Sequence, residues 1–113
     1  MTARLTTALF VNALVRKAGA MGGFVTVLAH GDDAAGALIL ICTKKGEISA
    51  VIEHGYDIDN RAVWQPCFIQ VIDNKEKIDK YLARRRAQDA DLWLIELDIP
   101  DAERFAADFI ASP

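Results

Sequence analysis

Apolar residues first recur at helical spacing. Phe10, Val11, Leu14 and Val15 fall on one stripe of a 3.6-residue repeat, which predicts an amphipathic helix over residues 6–18. Thr6 or Thr7 can cap its first turn. Arg16 and Lys17 suit the negative end of the helix dipole, and Gly22 and Gly23 end it. The period then shortens. Residues 24–30 read as a first strand, GDDAAG at 31–36 as a turn, and 37–44 as a second strand. ALILIC in that second strand is apolar on both faces, which predicts a central position. Lys45-Gly46 marks a hairpin tip. Residues 47–53 alternate, with Ile48, Ala50 and Ile52 inward and Glu47, Ser49, Val51 and Glu53 outward.

A polar loop at 54–61 leads to a fourth strand over 63–72. Pro66 cannot donate to a ladder, so this strand lies at an edge or is bulged. Helical spacing returns after Asp73, where Asp73 and Glu76 resemble a capping box. Ile78, Tyr81, Leu82 and the stem of Arg85 form the packed face of a helix ending near Gln88. Residues 91–99 form a fifth strand, with Trp93, Ile95, Leu97 and Ile99 on one side and Leu92 and Leu94 on the other. Pro100 and Asp101 open a last helix, docked by Ala102, Phe105 and Phe109. The expected fold is α+β: a mostly antiparallel five-stranded sheet in the order α-β-β-β-β-α-β-α, built from consecutive hairpins with helices packed on the sheet.

Composition narrows the class. A chain of 113 residues forms one domain over 1–113 with one core. The net charge of -3 provides no general attraction to nucleic acid or anionic lipid. Cys42 and Cys67 stand outside any CxxC or Cys/His cluster and read as reduced thiols of a cytoplasmic protein. The apolar run at 8–15 is too short to span a bilayer. The A-G-A at 18–20 follows a basic pair, the wrong order for a signal peptide. A cytoplasmic protein with no membrane segment is expected.

RRRAQDADLWLIELD at 84–98, preceded by YLA, resembles the signature of a small bacterial family of unknown function numbered 1491. GDDAAGALILI at 31–41 is similar to that family's G-D-x-x-A-G-A segment. The resemblance covers most of the chain. It implies a small stand-alone bacterial cytoplasmic protein and transfers no catalytic residue.

Candidate chemistry is sparse. His54, Asp57 and Asp59 form the one compact group of acid–base or metal-ligating types, with Asp32 and Asp33 across a hairpin end. D-I-D-N begins like a calcium loop, then fails. Arg61 and Ala62 hold the fifth and sixth positions, and Phe68 stands where a glutamate is needed. A polar loop is the plainer reading. GDDAAG lacks the Lys-Ser/Thr of a phosphate loop, and its two aspartates repel anions. Arg84, Arg85 and Arg86 form the strongest basic run. They sit in a last helical turn with Asp89 and Asp91 beside them, which favours a structural role over phosphate binding. No Ser-His-Asp or Cys-His arrangement can be argued, and nothing calls for a cofactor or a metal. Trp64, with Phe68, marks the candidate interface, on an edge strand that a second copy could cover.

Three readings follow. The first is a non-enzymatic interaction module, a homodimer or the companion of another protein. The second is an enzyme, small-molecule or metal-dependent, using the His54 loop. The third, nucleotide or nucleic-acid binding through Arg84 to Arg86 with Arg16 and Lys17, is disfavoured by the acidic balance. The first is preferred.

Overall fold

The computed structural model describes residues 5–67 and 74–111. Their elements run α1 (Thr7–Ala20), β1 (Phe24–Ala29), β2 (Leu38–Lys44), β3 (Glu47–Tyr56), β4 (Ala62–Pro66), α2 (Lys75–Gln88), β5 (Trp93–Asp98) and α3 (Ala102–Ala111). The strands form one five-stranded sheet in the order β1-β5-β2-β3-β4. β2 and β5 pair in parallel and the other neighbours antiparallel. The fold is α+β in the expected element order, with a mixed sheet.

One connection departs from the expectation of consecutive hairpins. β1 and β2 do not pair, because β5 lies between them. Its start is apolar on both faces, so the place beside central β2 removes most of it from water. Residues 31–36 therefore bridge the start of β5 instead of turning a hairpin.

The sheet is covered on both faces. α1 and α3 pack on one, burying Leu14, Leu40, Ile95, Leu97 and Phe105 among others. α2 packs on the other, where Ile78 and Leu82 meet Ile39, Ile41, Val51 and Leu94. Two-sided burial corrects the alternation expected over 47–53. Val51 points at α2, not at solvent. Ile48 also faces α2, because β3 bulges: Cys42 lies opposite Ala50 and Thr43 opposite Ile48, leaving Ser49 as the extra residue. The Ser49 hydroxyl donates to the Cys42 carbonyl at 3.3 Å.

Local signals act as the residue types require. Thr6 caps α1, its hydroxyl oxygen accepting from the Leu9 amide at 3.3 Å. Gly22 closes that helix at φ +81°, and the Gly23 amide donates to the Ala18 carbonyl at 2.8 Å. Val11, Leu14 and Ala18 form the buried stripe. Val15, expected on it, is exposed, since the contact face drifts toward Ala18. Lys45 and Gly46 both take positive φ, the signature of a primed hairpin turn. β4 is an edge strand and Pro66 ends it. The cap of α2 is Asn74, whose side-chain oxygen accepts from the Lys77 amide at 3.1 Å. Asp73, expected there, and Phe68 lie outside the described residues.

Candidate functional site

The two motif segments clasp each other. The 31–36 bridge runs against the start of β5, and the Asp32 amide donates to the Asp91 carbonyl at 3.0 Å. The Trp93 indole N–H donates to the Asp32 carbonyl at 2.8 Å, and the Trp93 amide to the Ala37 carbonyl at 2.7 Å. A Cβ on Gly31 or Gly36 would collide with the Asp91 carbonyl. These two glycines are there for close backbone approach, not to cradle phosphate.

The arginine run is mostly spent inside the molecule. Arg85 grips Glu53 of β3 and also donates to the Tyr81 hydroxyl at 2.7 Å. The Glu53 hydrogen bond, the largest influence, drives its pKa further above its already high ordinary value. Arg86 donates to the carbonyls of Ala90, of Leu92 at 3.1 Å and of His30 at 3.3 Å, tying the end of α2 to the residues just before β5 and just before the bridge. Arg84 lies 5.6 Å from the centre of the Tyr81 ring. A phosphate would have to displace Glu53 or three backbone carbonyls to gain the other two guanidinium groups.

His54 sits among aromatic rings. Its ring centre lies 4.6 Å from that of Phe10, 5.3 Å from Tyr56 and 5.2 Å from Trp64. His54 and Tyr56 are two apart on β3 and share a face. With Thr6 and Phe10 of the α1 start and the small residues at 34–37, they line a cavity of about 290 Å³. The sequence reading ends the third strand at Glu53 and takes 54–61 as a polar loop, whereas β3 runs on to Tyr56. Carried to Tyr56, the alternation would have put His54 and Tyr56 together.

The aspartates grouped with His54 do other work. The Asp32 carboxylate accepts from the amides of Ala34 and Ala35, at 3.2 and 2.9 Å. Asp33 pairs with His30 at 2.8 Å. Asp57 Oδ1 accepts from the amides of Asp59 and Arg61, both at 2.9 Å, and so holds its own turn. Asp59 is exposed on that turn. Among the described residues no three His, Cys, Asp or Glu groups converge as a metal site would require.

Trp64 is half-buried on β4, and its indole N–H donates to the Ala106 carbonyl of α3 at 2.9 Å. The exposed apolar edge is at the other end of the sheet. On β1, Phe24 is 74% exposed, Leu28 53% and Val27 44%. Sequence reasoning passed over these residues because the turn after them suggested that β2 would cover β1.

Neither thiol is activated. Burial pushes the Cys42 thiol up to about 12, with the charge of Glu103 adding to it. Burial also raises Cys67, while a hydrogen bond with Tyr81 pulls the other way. No helix among the described residues is long and apolar enough to cross a membrane.

A family model described as a protein of unknown function, DUF1491, matches residues 5–107. No curated protein matches the chain. Solved structures do. A crystal structure of a DUF1491 family protein from Caulobacter crescentus CB15 is 27% identical, with a TM-score of 0.76 over 88% of this chain and 92% of that one. An NMR structure of a DUF1491 family protein from the same organism is 25% identical, with a TM-score of 0.72 over 99% and 97%. A solution structure of a protein from A. tumefaciens is 27% identical, with a TM-score of 0.61 over 86% and 87%.

Proposed function

The chain belongs to the DUF1491 family, and we propose that it acts as a non-enzymatic interaction module, assembling as a homodimer in the bacterial cytoplasm. The observation that carries this reading is β1. It is an edge strand, FVTVLA, with no charged residue and no proline. Edge strands that stay solitary are blunted by charge, proline, a bulge or a cover; β1 has one bulge, at Leu28, and pairs regularly with β5 over Phe24 to Val27. A second copy of β1, running antiparallel across a twofold axis, would satisfy its outward-facing backbone groups and bury Phe24 and Leu28. The same strand could instead accept a strand from another protein.

The competing readings lose support at their own residues. Asp32 and Asp57 hold turns, so the His54 group has no convergent acid–base or metal set. Arg85 and Arg86 are bound to Glu53 and to backbone carbonyls, which leaves Arg84 as the exposed member of the basic run. Relatives from C. crescentus and A. tumefaciens support a bacterial setting, and two unpaired thiols suit a reducing compartment.

The test is native mass spectrometry and light scattering on the full chain and on the double variant Phe24→Lys/Leu28→Lys. Both side chains are more than half exposed, so the variant keeps its circular dichroism spectrum. A dimer that becomes a monomer in the variant supports the reading. A wild-type monomer sinks the homodimer, and a dimer indifferent to the variant moves the interface off β1.

A further inference from the structure

We propose that the cavity between the start of α1, the 34–37 segment and the end of β3 binds a small, uncharged, planar ring compound carrying one hydrogen-bonding group. This is independent of the assembly proposed for β1, which lies on the opposite edge of the sheet from β3 and β4.

Size is the first constraint. The cavity, about 290 Å³, is near the lower bound of ordinary ligand sites, about 300 Å³. An apolar cavity of about 150 Å³ already accepts benzene. One substituted ring or a fused pair fits here, whereas a dinucleotide does not.

Charge is the second. Among the described residues no Asp, Glu, Lys or Arg lines the cavity. The α1 start offers no anion site, because its first amides are taken. Thr7 donates to the Ala34 carbonyl at 3.3 Å, Ala8 to the Asp33 carbonyl at 3.0 Å, and Phe10 to the Thr6 carbonyl at 3.0 Å. Leu9 donates to the Thr6 hydroxyl oxygen. A charged ligand would lose its hydration and gain no counter-charge.

The lining itself is the third. Phe10, Tyr56 and His54 offer ring surfaces for offset or edge contacts. His54, the Tyr56 hydroxyl and the hydroxyls of Thr6 and Thr7 are the polar side-chain groups of the described lining. Ala34, Ala35 and Gly36 are small, and that is what leaves the space open. The wall is also fixed before any ligand arrives. The Thr7 hydroxyl donates to the Gly36 carbonyl at 2.7 Å, and the Asp33 and Ala34 carbonyls are held by α1. A preformed wall avoids the entropy of ordering it on binding.

Indole and benzamide serve as neutral probes, benzoate and benzylamine as charged ones, each titrated into the full chain and followed by amide NMR. The neutral probes are expected to shift Ala35, Gly55 and Tyr56 saturably and to give nuclear Overhauser contacts to the rings of Phe10 and Tyr56. The charged probes are expected to bind at least about tenfold more weakly. Tyr56→Ala removes one wall at a partly exposed strand end and should weaken indole by about tenfold. The contacts measured on the wild type stand whether or not that variant folds. Absence of saturable shifts up to about 10 mM neutral probe, equal binding of charged probes, or contacts that map to another surface would each overturn the proposal.

Discussion

Arg85 and Glu53 are joined by two parallel hydrogen bonds, Nη1 to Oε1 at 2.9 Å and Nη2 to Oε2 at 3.0 Å. They tie α2 to β3 across the edge of the second core. The side chains are only 25% and 30% exposed, so water screens the pair less than it does a surface ion pair.

Arg85→Ala is expected to cost about 1–2 kcal/mol in urea unfolding, between the value of an exposed pair and that of a buried one. Arg86→Ala should cost a similar amount, since it releases three carbonyls. Arg84→Ala should stay within about 0.5 kcal/mol. Equal effects across the three arginines would contradict the division of labour seen in the structure. Equal losses of affinity for a polyanion would favour the phosphate-binding reading.

The glycines supply a second contrast. Gly31→Ala and Gly36→Ala each drive a methyl group into the Asp91 carbonyl, so each should destabilise by about 2 kcal/mol or more. Gly19 lies inside α1, with nothing near an added Cβ and no positive φ. Gly19→Ala should stabilise by about 0.5–1 kcal/mol through helix propensity. Thermal unfolding of the three variants checks this, and a stable Gly36→Ala protein would show that the bridge does not need its close approach to β5.

These contrasts separate what was legible in the sequence from what was not. The helices, the central ALILIC strand and the two-sided start of β5 were readable, because each is written in a local period. The pairing of β5 between β1 and β2 was not. It joins residues some seventy positions apart, such as Val25 with Leu97, and no local pattern encodes it. The Ser49 bulge was hidden for a related reason. A one-residue slip reverses side-chain faces without altering composition, so Ile48 looked inward beside Ala50. The basic run was legible as a helix end, but the partners of Arg85 and Arg86 include Glu53 on β3, Leu92 just before β5 and His30 just before the bridge. The cavity was missed because its walls come from three separated segments, and only His54 among its residues looked chemical in isolation.

Cys42 ties stability to alkaline pH. It is fully buried on the face under α1 and α3, and burial pushes its thiol from 9.0 to about 12. An acid whose folded pKa is raised holds its proton in the native state where the unfolded chain has lost it. Stability is therefore fully present below pH 9.0, the unfolded value, and falls as pH rises toward 12. Cys67 and Tyr81, both raised chiefly by burial, add slopes of the same sign. Cys42→Ala should lower stability near neutral pH by about 1 kcal/mol through the small cavity it leaves, yet make stability less dependent on alkaline pH. Urea midpoints near neutral pH and near pH 10 measure both effects. A wild type and a variant that lose stability in parallel would mean that Cys42 does not titrate out of a buried state, and that the thiol is reached by water before the core opens.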